Sequence, residues 1–260
     1  MIASTSPTRA AAAGRTRGTV PRAVVTAIGV AWLLAVGARV AGRAGALGHD
    51  HLLGPGRVPL VVAVVLFLCT WQVMVAAMML PSALPMVRLF NAVATGQERP
   101  DGALTAFLAG YAVVWTAFGA GALALDAALH RAVAATPWLA ARPGLVGGAI
   151  LGLAGAFQFS ELKERCLHTC RHPGAWLLPR YRRGLAAAFR LGRAHGLFCV
   201  GCCWALMLVM FAAGVADLVL MAALTAVMTY EKVGRESALL TRVVGWTLLA
   251  WGAATGLAAM

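Results

Sequence analysis

Apolar residues along this chain come in long continuous runs, with little of the alternation that soluble helices and strands show. A helix needs about 20 mostly apolar residues to cross the hydrocarbon core of a bilayer. Several runs reach or approach that length, and short polar segments separate them. The pattern therefore predicts an all-α fold, a polytopic bundle of transmembrane helices. The seven predicted spans are 21–41, 58–80, 103–128, 145–159, 194–213, 215–230 and 238–260.

The predicted number of spans has one open alternative. Segments 145–159 and 215–230 are short for a complete crossing, and the count becomes six if the helices on either side of Gly214 form one broken element. Residues 1–20 are basic and rich in Ala, Arg, Ser and Thr, so we expect a disordered tail. Residues 21–260 are expected to form a single transmembrane helical domain.

Composition and charge support a membrane protein and argue against a nucleic-acid partner. The chain is 61% hydrophobic and 12% charged, whereas a soluble domain has about 25% charged residues. Its formal charge of +13 comes without a basic stripe interleaved with aromatic residues, so nucleic-acid binding is not expected. Most Lys and Arg residues, above all those in 160–193, fall on one side of the predicted topology. The positive-inside rule then places the N-terminus in the cytoplasm. We expect the helical bundle to lie in a bacterial inner membrane, where lipid surrounds it. The oligomeric state stays open.

Half of the six cysteines fall in a single stretch of five residues inside the fifth predicted span. Positions i, i+3 and i+4 share one face of a helix, so Cys199, Cys202 and Cys203 point the same way. His195 lies one turn before them and Met207 one turn after, which makes a stripe of soft ligands. Free cysteine also packs as a small hydrophobic residue. Three thiols on one face favour a metal or redox role over simple packing.

A second pair, Cys166 and Cys170, has the same i, i+4 spacing, and His168 and His172 alternate with it. On a regular helix the two histidines face away from the two cysteines. All four residues join one site only if the helix unwinds before Pro173, because proline disfavours helical backbone in the preceding residue. Cys and His ligands alone would also satisfy a structural zinc ion, so zinc remains a competitor.

The predicted topology brings four unusual segments to the cytoplasmic half of the bundle. These are the Met-Pro end of the second span, segment 161–173, the start of the fifth span and the end of the sixth near Glu231. The cytoplasm keeps thiols reduced, so disulfide bonds are not expected. An acidic residue at the membrane is costly, which makes Glu231 a functional candidate unless it pairs with an arginine of the fourth predicted loop or sits at the interface.

Methionines favour copper over zinc as the metal. Met74 and Met78 are one turn apart on the second span, and Met79 adjoins them. Met221 and Met228 are two turns apart on the sixth span. Thioether and thiolate together are the ligands that select Cu(I), whereas zinc needs no thioether.

Three motifs together resemble a bacterial family of predicted metal-binding integral membrane proteins, a domain of unknown function. They are WQVMVAAMMLPSALP (71–85), LKERCLHTCRHP (162–173) and CVGCCWALM (199–207), closed by the pair Glu231–Lys232. The motif region is 58–233. The resemblance implies a membrane-bound copper chaperone that supplies copper oxidases of the tyrosinase type.

The predicted function is therefore to bind Cu(I) and deliver it to a copper enzyme. One alternative is a membrane metalloenzyme or thiol redox protein that uses the same cysteines, and another is a structural membrane subunit with zinc or no metal. No catalytic residue is assigned, since the sequence holds no paired catalytic carboxylates and no Ser-His-Asp arrangement. The resemblance implies most of the predicted ligands, and His172 is added on its spacing alone. The predicted metal ligands are Cys166, Cys170, Cys199, Cys202, Cys203, Met78, Met79 and His172.

Overall fold

A computed structural model describes residues 20–43, 59–213, 217–234 and 236–260. Residues 1–19 of the predicted tail and Gly214 at the predicted break lie outside the described residues. The described part of the chain is helical and contains no strand. Its helices are α1 (Arg22–Val40), α2 (Leu60–Ala94), α3 (Pro100–Ala134), α4 (Pro137–Ala140), α5 (Pro143–Phe157), α6 (Glu161–Arg171), α7 (Pro173–Arg180), α8 (Leu185–Ala213), α9 (Leu218–Val233) and α10 (Ser237–Ala258).

Each of the seven predicted spans falls on a helix, which confirms the all-α fold. By length and composition, α1, α2, α3, α8 and α10 are able to cross a membrane. The pair α5 and α6, bent by 61° at a short break, raises the number to six if it counts as one span. Helix α9 has only 16 residues. The described helices therefore support five or six spans by this measure, fewer than the seven predicted.

Helix α2 continues well beyond the predicted end of its span, through Pro81 and Pro85. A proline inside a helix has no N–H to donate to the carbonyl four residues earlier. For Pro81 that carbonyl belongs to Ala77, and the indole Nε1 of Trp32 donates to it at 3.1 Å. A side chain of α1 thus satisfies the carbonyl that Pro81 leaves free.

Helix α6 is short, polar on its outer side and oriented by its N-terminal cap. The side chain of Ser160 accepts a hydrogen bond from the backbone N–H of Lys163 at 3.2 Å, which satisfies one of the free donors of the first turn. The inward face carries Lys163, Cys166, Leu167 and Cys170, all buried. The i, i+3, i+4 spacing therefore points both cysteines at the bundle.

Glycines allow the close helix packing that positions α8. A Cβ on Gly110 of α3 would collide with the carbonyl oxygen of Phe189, and one on Gly192 would collide with that of Phe107. Helices α5 and α10 approach in the same way, since a Cβ on Gly148 would lie 2.7 Å from the carbonyl oxygen of Gly252. Small residues let membrane helices pack backbone to backbone. With α8 pressed onto α3, its cysteine face is turned toward α2, α6 and α9.

The largest core cluster lies mainly among α2, α3, α6, α8 and α9, and twelve of its buried side chains contain sulfur. Many large apolar side chains instead point outward, such as Leu33, Val219 and Trp246. Exposed apolar surface of this extent is expected where helices contact lipid. The sulfur residues of the core cluster are Cys166, Cys170, Cys199, Cys202, Cys203, Met74, Met78, Met79, Met207, Met210, Met221 and Met228.

Candidate metal centre

The structure brings seven of the eight predicted ligands into this single buried cluster. The five cysteines and the two methionines come from three helices: Met78 and Met79 from α2, Cys166 and Cys170 from α6, and the rest from α8. All six cysteines of the chain are free thiols. The five buried cysteines are called the thiol cluster below. The sixth, Cys69, is exposed on α2 and lies outside that cluster.

His172 is the predicted ligand that lies apart from the cluster. It ends α6 as the C-cap, and its ring is exposed. Its Nδ1 lies 2.9 Å from the carbonyl oxygen of His168, and the centroids of the two imidazole rings are 4.4 Å apart. Because α6 stays helical through Arg171, both histidines face outward while the cysteines face inward. The unwinding that would join His172 to the thiols is not present.

On α8 two of the three thiols converge on the backbone carbonyl of Cys199. Cys202 Sγ donates to the carbonyl oxygen of Cys199 at 3.1 Å, and Cys203 Sγ donates to the same oxygen at 2.8 Å. Cys203 Sγ also lies 3.6 Å from Met79 Sδ on α2. Thiol and thioether sulfur from two helices are therefore already in contact.

Helix α6 adds two more thiols to the same place. Cys170 lies in the same buried core cluster as Cys202. Cys166 lies against Gly201, where a Cβ would be only 2.5 Å from the Cys166 Sγ. That contact gives a physical reason for glycine between the α8 cysteines, since any larger residue would push α6 away.

Two polar side chains contact the Cys199 thiol and a third contacts one of them, and sequence reasoning missed their roles. Lys232 Nζ donates to Cys199 Sγ at 3.2 Å and to Ser82 Oγ at 2.8 Å. Tyr111 OH lies 3.1 Å from the same sulfur. Lys232 had a signal in the sequence, because it closes the family motif beside Glu231. Ser82 and Tyr111 had none, since their contacts depend on how α2 and α3 pack.

Glu231 is buried and fully engaged in structural contacts. Its carboxylate pairs with Lys163 Nζ at 2.8 Å and accepts a bond from Thr241 Oγ1 at 3.2 Å. Arg171 Nε donates to its backbone carbonyl at 2.9 Å. Of the interpretations drawn from sequence, an ion pair with the fourth predicted loop is present, but its partner is Lys163 and not an arginine. Glu231 thereby ties α9 to α6 and α10.

A family model described as a copper chaperone family, PpoB2, matches residues 68–255. The chain belongs to the PpoB2 copper chaperone family. The matched range runs from α2 into α10 and contains every predicted ligand. It agrees with the resemblance drawn from the sequence motifs. No curated protein and no solved structure matches the chain.

His195, one turn before Cys199, is a further unusual residue in this PpoB2 family member. It is buried, and its ring stacks on those of Phe107 and Tyr111, with centroids 6.1 and 5.7 Å away. Neither ring nitrogen has a hydrogen-bond partner in the described part of the chain. A buried polar side chain without partners is uncommon and calls for an explanation.

The thiols lie in one cluster, but their side chains are not oriented for metal coordination. Among the described residues, no group of three or more His, Cys, Asp or Glu side chains is arranged to hold a metal ion. The reason lies in the side-chain directions: Cys202 and Cys203 turn onto a carbonyl, and Cys199 onto Lys232 and Tyr111.

Proposed function

We propose that this chain is a multi-pass protein of the bacterial inner membrane that binds Cu(I) as cargo and delivers it to a copper enzyme. The observation that carries the proposal is the buried contact between Cys203 Sγ and Met79 Sδ inside a cluster of further thiols. Thiolate combined with thioether is the donor set that selects Cu(I). Membership of a copper chaperone family supports the same cargo.

The proposed topology follows from charge and apolar surface. With the N-terminus in the cytoplasm, the basic segment 160–193 lies on the cytoplasmic side, as the positive-inside rule requires. The thiol cluster then lies in the cytoplasmic half of the bundle, where thiols stay reduced. Large exposed side chains such as Leu33 and Trp246 face lipid.

The proposed ligands are two thiolates of α8 at a time, Cys199 and one of its neighbours, with a thioether as the exchanging ligand. Cys202 or Cys203 must then leave the Cys199 carbonyl, which rotation between staggered χ1 wells allows without moving the helix. Cys170 of α6 offers a further thiol to which the ion can exchange, and Met79 of α2 supplies the thioether. Because thioether binds more weakly than thiolate, the ion is held and can still be passed on.

Buried methionines provide a route by which the ion leaves the thiol cluster. Met78, Met207 and Met228 are completely buried in the same core cluster. Farther toward the N-terminal end of α2, a cavity of about 460 Å³ is lined by Cys69, Met74 and Met221, together with residues of α1. We propose that Cu(I) passes between the thiol cluster and this cavity by exchange among thioethers.

The test is a Cu(I)-binding measurement on the purified full-length protein in competition with a chromogenic chelator. Changing Cys199, Cys202 and Cys203 together to serine is expected to abolish high-affinity binding. Cys69→Ser is the matched control for high-affinity binding, because Cys69 is exposed, lies outside the core cluster and lines only the proposed exit cavity. Undiminished Cu(I) binding by the triple variant would overturn the site. Elemental analysis of the protein as isolated checks the metal, with copper expected and zinc contradicting the proposal.

A further inference from the structure

We propose that Lys232 is the counter-ion of the copper–thiolate complex and that its charge makes the site prefer a monovalent metal to a divalent one. The inference rests on the proposed function, since it assigns a role to a neighbour of the proposed ligands. It assigns no ligand role to the ammonium group. Lys232 acts through its charge, beside the sulfur that would hold the metal.

Lys232 is a buried cation without an acidic partner. Its residue is 5% exposed, and no carboxylate lies within ion-pair distance of its Nζ among the described residues. The adjacent acid, Glu231, is already paired with Lys163. What the ammonium group contacts is the hydroxyl of Ser82 and the thiol of Cys199.

Such an arrangement is unfavourable unless the thiol cluster carries negative charge. Removing an ammonium group from water costs several kcal/mol when nothing of opposite charge compensates it. The group in direct contact that can become negative is the thiol of Cys199, and the other thiols of the core cluster lie on the same helix face or on α6. The bundle is therefore built to hold a net negative charge next to Lys232.

The geometry holds the ammonium group firmly at the sulfur. Ser82 Oγ donates to the carbonyl oxygen of Met79 at 2.9 Å, which leaves its lone pairs free to accept from Lys232. Tyr111 OH approaches Cys199 Sγ as a second polar neighbour. The Lys232 ammonium group thus lies between Ser82 of α2 and Cys199 of α8. Ser82 is one helical turn after Met79, which carries the thioether.

A charge count then distinguishes metals. A Cu(I) ion held by a pair of thiolates carries one net negative charge, and Lys232 makes the buried assembly neutral. A Zn(II) or Cd(II) ion held by the same pair is neutral by itself and leaves the ammonium group uncompensated. Since uncompensated buried charge is costly, Lys232 stabilises the monovalent complex and disfavours the divalent one.

The test compares Lys232→Met with the charge-conserving control Lys232→Arg in the full-length protein. Affinities for Cu(I) and for Cd(II) are measured by chelator competition at one fixed pH, and helical circular dichroism checks folding. In Lys232→Met the ratio of Cu(I) to Cd(II) affinity is expected to fall on the order of 100-fold, as removal of one charge at contact distance implies. Lys232→Arg is expected to keep the wild-type ratio.

Each outcome bears on the inference. An unchanged ratio in Lys232→Met overturns the counter-ion role, while the proposed function stands if the triple serine variant still loses Cu(I). Equal Cu(I) binding by the wild type and the triple serine variant overturns the proposed function and this inference with it. If Lys232→Met does not fold, Lys232→Gln replaces it, and a ratio equal to that of Lys232→Arg overturns the inference. If the role of Lys232 were purely structural, Lys232→Met would lower the affinities for Cu(I) and Cd(II) alike.

Discussion

Replacing Glu231 with glutamine is expected to destabilise the bundle and weaken the metal site together. The carboxylate lies 2.8 Å from Lys163 Nζ, and both side chains are at most 2% exposed. This ion pair connects α9 with α6, and α6 supplies Cys166 and Cys170 to the thiol cluster. The change removes the charge while keeping the size of the side chain, so the effect reports on the ion pair.

The size of the effect follows from the geometry. At 2.8 Å and an effective dielectric constant of about 20, two unit charges attract by about 6 kcal/mol. Desolvation of both groups offsets much of that attraction while the pair is intact. Without Glu231, Lys163 keeps its desolvation cost and loses its partner, which typically destabilises a protein by about 3–5 kcal/mol. We expect a value near the lower end, because a glutamine oxygen still accepts a hydrogen bond.

The assay is unfolding in a detergent titration, followed by circular dichroism, in parallel with Cu(I) competition. Cu(I) affinity is expected to fall by about tenfold or more, the usual effect of removing a group that positions metal ligands. The matched control is Glu161→Gln, which breaks the ion pair with Arg165 on the same helix. Both partners of that pair are exposed, so a change of about 0–1 kcal/mol is expected.

A double variant separates the ion pair from general damage to the core. Lys163→Met combined with Glu231→Gln removes both charges, so it should recover part of the stability lost in the single Glu231→Gln variant. The reasoning is refuted if Glu231→Gln costs no more than Glu161→Gln. It is also refuted if the double variant loses as much stability as Glu231→Gln and Lys163→Met lose when their separate effects are added. Charges that interact directly are expected to give a smaller combined loss.

Two further predictions concern contacts at the thiol cluster. Gly201→Ala should lower stability by about 1–3 kcal/mol, because its Cβ would press on Cys166 Sγ. Gly152→Ala, with open space at its Cβ, is the control, and equal detergent unfolding of the two contradicts the prediction. Met79→Leu keeps the volume but removes the thioether, so Cu(I) affinity should fall by about tenfold, equivalent to about 1.4 kcal/mol. Unchanged chelator competition would exclude Met79 as a ligand.

Local spacing in the sequence predicted the helices and the inward cysteine face. Apolar runs long enough for a bilayer identify helices because hydrophobicity and length are properties of the chain itself. The shared face of Cys199, Cys202 and Cys203 follows from helical periodicity alone. Motif spacing also indicated the copper chaperone family, which the family model confirms.

Helix ends depended on contacts that no local pattern contains. Pro81 and Pro85 predict an interruption, yet α2 runs on to Ala94. The freed carbonyl of Ala77 is satisfied by Trp32, a residue 45 positions away. His172 shows the reverse case, because spacing alone left open whether α6 unwinds, and the intact helix directs the ring outward.

The surroundings of the thiols were decided by tertiary structure. Periodicity says which face of α8 carries sulfur, but not which residues of α2, α3 and α9 lie opposite. Tyr111 and Lys232 meet at Cys199 because glycine contacts press α8 onto α3 and because the Glu231–Lys163 ion pair holds α9 against α6, and Ser82 in turn contacts Lys232. Sequence alone therefore determined which atoms are available to bind a metal. The charge placed beside them, and with it the proposed preference for Cu(I), arises from long-range packing.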